Sequence, residues 1–202
     1  MFIKTRRHCR RLKKSFPLLS KTYGQCIFFE DEMRSGTRSE CKRRWTPKGH
    51  RPTCKMKLGY EYCYVYAALN PYSGSLFCLL LPDMTKESFC VFSTHFSQYL
   101  DEQYGKNSEA RKQVLLIADG AGAHQQKTCV ENGFAFQKLP PASPELNPVE
   151  RFFEELRKEL SNHIFHTIDE VEDHLTTILL NYYQNPQLLI QLTQFPYIRL
   201  PN

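Results

Sequence analysis

Between Tyr60 and Leu69 the chain alternates residue by residue. Tyr60, Tyr62, Tyr64 and Tyr66 fall on one side of an extended backbone, and Glu61, Cys63, Val65 and Ala67 on the other. A period of two marks a strand with two distinct faces. Asn70-Pro71-Tyr72-Ser73-Gly74 is turn chemistry, and Ser75 to Leu81 returns as a second strand, so the pair forms a hairpin. Upstream, Gln25 to Glu32 reads as another strand on which Ile27, Phe29 and Asp31 share a face. That carboxylate therefore ends a buried stripe. Two later runs, Val114 to Ala118 and Phe134 to Lys138, also have strand length. The first stops at Asp119 and is broken at once by Gly120-Ala121-Gly122, so it delivers a second carboxylate to a sheet edge.

Elsewhere the apolar period is that of a helix. Thr85 caps a segment with Phe89, Phe92, Phe96, Tyr99 and Leu100 at helical spacing, which stops near Gly105. A short helix covers His124 to Glu131. From Leu139 to Pro148 the prolines exclude regular structure until Asn147 caps a helix and Pro148 takes its first position. Val149, Phe152, Phe153, Leu156 and Leu160 then share one face, with Glu150 in the first turn. Thr167 caps a last helix, 167–184, whose Val171, Leu175, Ile178 and Leu179 point inward. Three strands, then helix, strand, helix, strand and helix, predict an α/β protein with a mixed five-stranded sheet flanked by helices.

Composition supports one domain: 202 residues, 41% hydrophobic and 13% aromatic, are enough for a sizeable core. The eight cysteines include no Cys-x-x-Cys pair and read as thiols in a reducing compartment. Cys41 and Cys54, which flank His50, lack the spacing of a zinc site. No stretch has the apolar length of a signal peptide core or a membrane span, so a cytoplasmic, nucleoid-associated protein is expected.

Charge changes the picture more. Residues 1–57 hold 17 Lys/Arg against 4 Asp/Glu, whereas 58–202 hold 10 against 17. A basic block of this kind suits a polyanion. For the arm 1–24, a solvated and partly disordered tail is an equal reading. In the loop 34–57, Trp45 and His50 are interleaved with cations, which favours phosphate contact by Arg43, Arg44, Trp45 and Lys48.

Asp31, Asp119 and Glu150 are the candidate chemistry. Hard divalent cations prefer oxygen ligands, and carboxylates converging from a strand, a strand end and a helix start make such a site. Each also has a structural reading. Asp31 could belong to an exposed acidic cluster with Glu30 and Glu32; Asp119 could cap the turn after its strand; Glu150 could close a capping box with Asn147.

These residues lie in longer motifs. Ala118-Asp119-Gly120, with His124 five positions beyond the Asp, is followed by Leu139-Pro140-Pro141-Ala142-Ser143-Pro144-Glu145-Leu146-Asn147-Pro148-Val149-Glu150 and by Phe153, Leu156 and Arg157. This resembles the catalytic domain of IS630-type DDE transposases of the Tc1/mariner superfamily. Phe28-Phe29-Glu30-Asp31-Glu32 with Arg34 and Gly36, then Trp45 with Lys48-Gly49, resembles the segment carrying that family's first Asp. Gly120 replaces the common Asn, and Phe153 the common Trp. The resemblance implies a ribonuclease H-like fold over residues 25–202, with Asp31, Asp119 and Glu150 as catalytic residues holding two Mg2+ or Mn2+ ions. It further implies cleavage of DNA at element ends, strand transfer to target DNA, a homodimer in the active complex, and His124 near substrate phosphate or orienting a carboxylate. With only the basic arm 1–24 ahead of the first strand, a separately encoded helix-turn-helix subunit is expected to read the element ends. A ribonuclease H-like nuclease and a non-catalytic DNA-binding remnant are the alternatives.

Overall fold

The structure, a computed structural model, describes residues 16–43 and 45–198. Strands β1 (Ile27–Gly36), β2 (Tyr62–Leu69), β3 (Leu76–Leu81), β4 (Leu115–Ala118) and β5 (Ala135–Lys138) form one sheet in the order β3-β2-β1-β4-β5. The first three are antiparallel neighbours; β4 runs parallel to both β1 and β5. The mixed sheet expected from the element order is thus present, with β1 at its centre.

Helices cover both faces. On one lies α2 (Lys86–Tyr104), which presses Phe89, Phe92, Phe96 and Leu100 onto Phe28, Tyr66, Ala68 and Leu116. Each fully buried side chain of this size contributes about 1.5–3 kcal/mol. Thr85 Oγ1 accepts from Ser88 N at the start of α2, and Gly105, at φ 80°, donates to Asp101 O at its end. A short helix α3 (Glu109–Lys112) follows. Its buried Arg111 donates to Asp101 Oδ1 (2.6 Å), Ser97 Oγ (2.7 Å) and Gly133 O (2.8 Å), which ties α2 to the loop beyond α4 (Gln126–Glu131).

On the other face α5 (Pro148–Leu160) and α6 (Ile168–Gln184) bury Val149, Phe152, Phe153, Leu156, Val171 and Leu175 against Ile27, Phe29, Val65, Ala67 and Ile117. The helix ending at Gln184 is not the last one: Asn185-Pro186 restarts the chain as α7 (Pro186–Thr193), with Leu189 buried. The Pro-rich segment also contains one 3-10 turn, Pro144–Leu146, short enough to tolerate its proline at the first position.

Part of the basic arm is ordered against this face. Residues 16–23 are helical (α1), with Phe16 1% exposed, stacked on Phe29 at 6.1 Å and edge-on to Tyr197 at 5.4 Å. Within this part of the arm, Phe16 docks between a strand and the C-terminal segment. Residues 1–15 lie outside the described residues.

Candidate active site

Strand β1 sorts three consecutive acids by parity. Ile27, Phe29, Asp31 and Met33 face α5, whereas Phe28, Glu30 and Glu32 face α2. The exposed acidic cluster considered for Asp31 therefore does not exist. Glu30 is fully buried, and the side chain of Glu32 is 4% exposed.

On the α5 side, β1 and β4 are paired with Phe29 opposite Ile117. Two residues further along each strand, on that same face, come Asp31 and Asp119. The first turn of α5 adds Glu150. All three carboxylates line one pocket of about 170 Å³, completed by Gly120, Asn147 and the turn 139–144. Ala142 in that turn has φ 53°, an uncommon left-handed conformation for alanine. No Lys, Arg or His is among the described lining residues.

The carboxylates feel one another. Burial, and next the charge of Glu150, push Asp31 from 3.8 to about 7, with Glu32 and Asp119 adding to the shift. Among the described residues its donors are neutral: Glu32 N to Oδ1 at 2.9 Å and Asn147 Nδ2 to Oδ2 at 3.2 Å. Asn147 also donates to Glu30 O at 2.9 Å and accepts from Val149 N at 3.2 Å, so one amide both caps α5 and grips β1. The Asn147 N–H bonds Pro144 O at 2.8 Å, so Glu150 is not needed to close a capping box. Its Oε2 instead lies 3.9 Å from Arg157 Nη1.

On the α2 side the acids have a partner. His124, 3% exposed, packs on Phe89 with ring centroids 4.9 Å apart. Its Nε2 is 2.8 Å from Glu32 Oε1 and 3.5 Å from Glu30 Oε2; its Nδ1 is 2.9 Å from Asp119 Oδ1. Burial works against the imidazolium, but Glu30 and the hydrogen bonds to Asp119 and Glu32 lift its pKa to about 11. Asp119 is held below the usual carboxylate range first by that hydrogen bond; Glu30, desolvated and beside Glu32, is raised well above it. Glu30, Glu32 and His124 bring ligand atoms within 4.8 Å of one another, yet the imidazolium already supplies the positive charge between them. The His124 side chain is closed to solvent. Its geometry is that of a residue orienting the Asp119 carboxylate, the other role the sequence suggested.

The basic loop divides. Arg34, Ser35 and Gly36 belong to β1, paired with Tyr64, Cys63 and Tyr62. Beyond them two arms without regular strand structure, joined by Thr37 N on Glu61 O and Ser39 N on Lys57 O, form a ribbon-like loop to a tip at Pro47–His50, closed by His50 N on Pro47 O at 3.0 Å. Gly59 allows this: a Cβ there would sit 2.5 Å from the Thr37 carbonyl carbon. Arg43, Trp45 and Lys48 are exposed on the ribbon, Trp45 completely, and do not line the carboxylate pocket. Arg44 lies outside the described residues. The sequence reading missed Asn147 as a carboxylate holder, and also Lys138, which pairs with Ala118 across β4–β5 and sets a positive charge near Asp119. The signal for Asn147 was a side chain whose carbonyl oxygen caps α5 while its amide stays free to reach β1.

Comparison with known proteins extends this geometry. A family model described as a DDE superfamily endonuclease matches residues 26–172. An uncharacterized protein of Sinorhizobium fredii, y4pE/y4sA, is 33% identical over 115 residues, covering 56% of this chain and 79% of that protein. Among solved structures, the catalytic domain of Mos1 mariner transposase superposes with a TM-score of 0.62 at 15% identity over 95% of this chain and 92% of that one. A pre-cleavage Mos1 transpososome gives 0.69 at 15% identity over 95% of this chain, which spans 62% of the Mos1 chain. The Mos1 paired-end complex with Mn gives 0.64 at 17% identity and the same coverage. The likeness to these structures is one of fold, and the sheet described above is the ribonuclease H-like sheet.

Proposed function

Because the chain belongs to the DDE superfamily of endonucleases, we propose that it is the catalytic part of a DNA transposase that cuts and rejoins DNA by in-line phosphoryl transfer. The observation that carries this is the convergence of Asp31, Asp119 and Glu150 on one pocket whose described lining offers no cation. Three anionic oxygen donors in that setting fit a hard divalent ion, Mg2+ or Mn2+, and two ions are expected to be shared among them. When bound, such ions would activate the attacking oxygen and stabilise the leaving one.

The chain's own residues do the positioning. His124 holds Asp119 Oδ1 from behind; Asn147 and the Glu32 amide hold the two Asp31 oxygens. Glu150 rides on α5, whose N-terminal dipole favours the anionic groups gathered there. Arg43, Trp45 and Lys48 on the exposed ribbon, with Arg44, supply non-specific contact to the DNA backbone. The enzyme is read as a member of the IS630 group acting on element ends and target DNA as a homodimer, with end recognition by a separately encoded helix-turn-helix subunit. Mos1, a relative by fold, is seen in paired-end complexes and with Mn. Among the described residues no helix is long and apolar enough to cross a membrane; the place of action we propose is DNA in the cytoplasm.

The test is Mn2+ binding by calorimetry together with nicking of supercoiled plasmid. Wild-type protein should bind the ion and nick, while Asp119→Asn should lose both. Ion-independent nicking would overturn the metal reading. Cleavage confined to RNA–DNA hybrid would point to a ribonuclease, and ion binding without cleavage of any substrate to a DNA-binding remnant.

A further inference from the structure

The ribbon carries a pair of thiols that the proposed phosphoryl transfer does not use. It leaves the sheet as a continuation of the β1–β2 ladder, with Thr37 N donating to Glu61 O and Ser39 N to Lys57 O, both at 3.0 Å. One step further out, Cys41 and Cys54 face each other from the two arms, their Sγ atoms 2.9 Å apart and both residues exposed. The arms are held at this height. Asn162 donates from its backbone to Glu40 O at 2.8 Å, and its Oδ1 accepts from Lys42 N at 3.3 Å. The same oxygen lies 3.9 Å from Cys54 Sγ. Below them Lys57 Nζ is fixed by the carbonyls of Phe165 (3.2 Å) and His166 (2.7 Å). The juxtaposed sulfurs therefore sit on an anchored neck, with the cationic tip beyond them.

We propose that Cys41 and Cys54 form a reversible intramolecular disulfide by exchange with a small-molecule disulfide, which locks the two arms of the ribbon beneath its basic tip. One cysteine, as thiolate, attacks a sulfur of the small disulfide and expels one small thiolate, which takes up the proton the cysteine gave up. The other cysteine then attacks the protein-bound sulfur and expels the second small thiolate in the same way. Two protein thiols are oxidised and one small disulfide becomes two thiols. The sulfurs need to approach by only about 1 Å to reach bonding distance, a shift available to an exposed ribbon. Exchange requires an accessible thiolate, which burial disfavours at four of the other described cysteines. Burial pushes Cys63 up to about 11 and Cys129 to about 12, and raises Cys26 and Cys78 as well. Cys90 is exposed on α2.

The proposal stands apart from the nuclease reading and is tested without DNA. The full chain is equilibrated in buffers of graded oxidised-to-reduced glutathione ratio, quenched by alkylation and digested with trypsin for mass spectrometry. The expected result is a chain lighter by two hydrogen atoms, with Cys41 and Cys54 losing alkylation together and their peptides joined until a reductant is added. Cys90→Ser should leave that transition unchanged. Cys41→Ser should abolish it and leave Cys54 alkylatable or capped by one glutathione. Alkylation of both cysteines at the most oxidising ratio would overturn the proposal, as would crosslinks that join Cys41 or Cys54 to Cys90 or to a second chain. Because the readout is mass, failure here leaves the phosphoryl-transfer proposal untouched, and failure of plasmid nicking leaves the crosslink untouched.

Discussion

The two faces of β1 treat the same chemical group in opposite ways. Toward α2, Glu30 and Glu32 are buried with an imidazolium that reaches both of them and Asp119. Toward α5, Asp31 meets Asp119 and Glu150 around a pocket with no basic residue among its described lining, and its pKa climbs to about 7. The first arrangement is closed on itself, since the protein supplies its own counter-charge. The second is left open to a cation from solution. Counting acids along Glu30-Asp31-Glu32 would rank all three alike; asking which is already compensated separates structural carboxylates from candidate ligands.

The largest expected effect breaks the open face. Asp119→Asn should slow metal-dependent plasmid nicking by about 10³-fold or more, a barrier change of roughly 4 kcal/mol, while far-ultraviolet circular dichroism stays that of the wild type. Near-normal nicking would remove Asp119 from the site. His124→Ala breaks the closed face and should cost stability instead, about 3–5 kcal/mol in urea unfolding, because Glu30 and Glu32 are left buried without their cation. Adding Glu30→Gln to that variant should recover part of the loss. No recovery would mean that Glu30 is not what His124 compensates. Asn147→Ala lies between the faces and should cost about 1–2 kcal/mol through the lost α5 cap, with weaker Mn2+ binding because Asp31 is no longer held.

The smaller effects sharpen the contrast through pH. A carboxyl whose folded pKa exceeds its unfolded value stabilises the fold fully below the unfolded value, and that contribution is lost as pH rises through the folded one. For Asp31 the window runs from 3.8 to about 7. Metal-free protein should therefore lose melting temperature across that window relative to Asp31→Asn, and added Mn2+ should restore more of it above pH 7 than near pH 5. His124, raised from 6.5 to about 11, keeps its full contribution below about 6.5 and loses it progressively as pH rises from there toward 11. Identical pH profiles for wild type and Asp31→Asn would contradict the open-face account. The smallest change in stability is expected at Glu150. Glu150→Gln should abolish nicking yet change unfolding by less than about 0.5 kcal/mol, because Pro144 O already serves the Asn147 amide.

The elements that frame the pocket were legible because each announces itself locally. Alternation gave β2, a broken apolar run gave the end of β4, and Asn147-Pro148 gave the start of α5. Regions without such a signal were misjudged. Arg34-Ser35-Gly36 extends β1 through backbone pairing with Tyr62, Cys63 and Tyr64, which leaves little trace in side-chain polarity. The helix 16–23 is fixed by Phe16 meeting Phe29 and Tyr197, a contact between distant parts of the chain. At the site, parity put Asp31 on the right face, but it could not say that Glu30 and Glu32 would be buried. That depends on His124 arriving from the loop after β4.

Asn147 also places the site in time. Its bonds to Glu30 O and Asp31 Oδ2 join residues 117 and 116 positions apart, so the strand bearing one acid is synthesised long before the helix bearing another. Ribosomes add residues at about 5–20 per second and chains begin folding from the N-terminal end. A nascent chain therefore carries Asp31 for several seconds before Glu150 exists, and longer before α5 clears the exit tunnel to dock on β1. On the proposed reading, a polypeptide still tethered to its ribosome has no complete set of metal ligands, and an aborted product ending before Pro148 is inert toward the genome that encodes it.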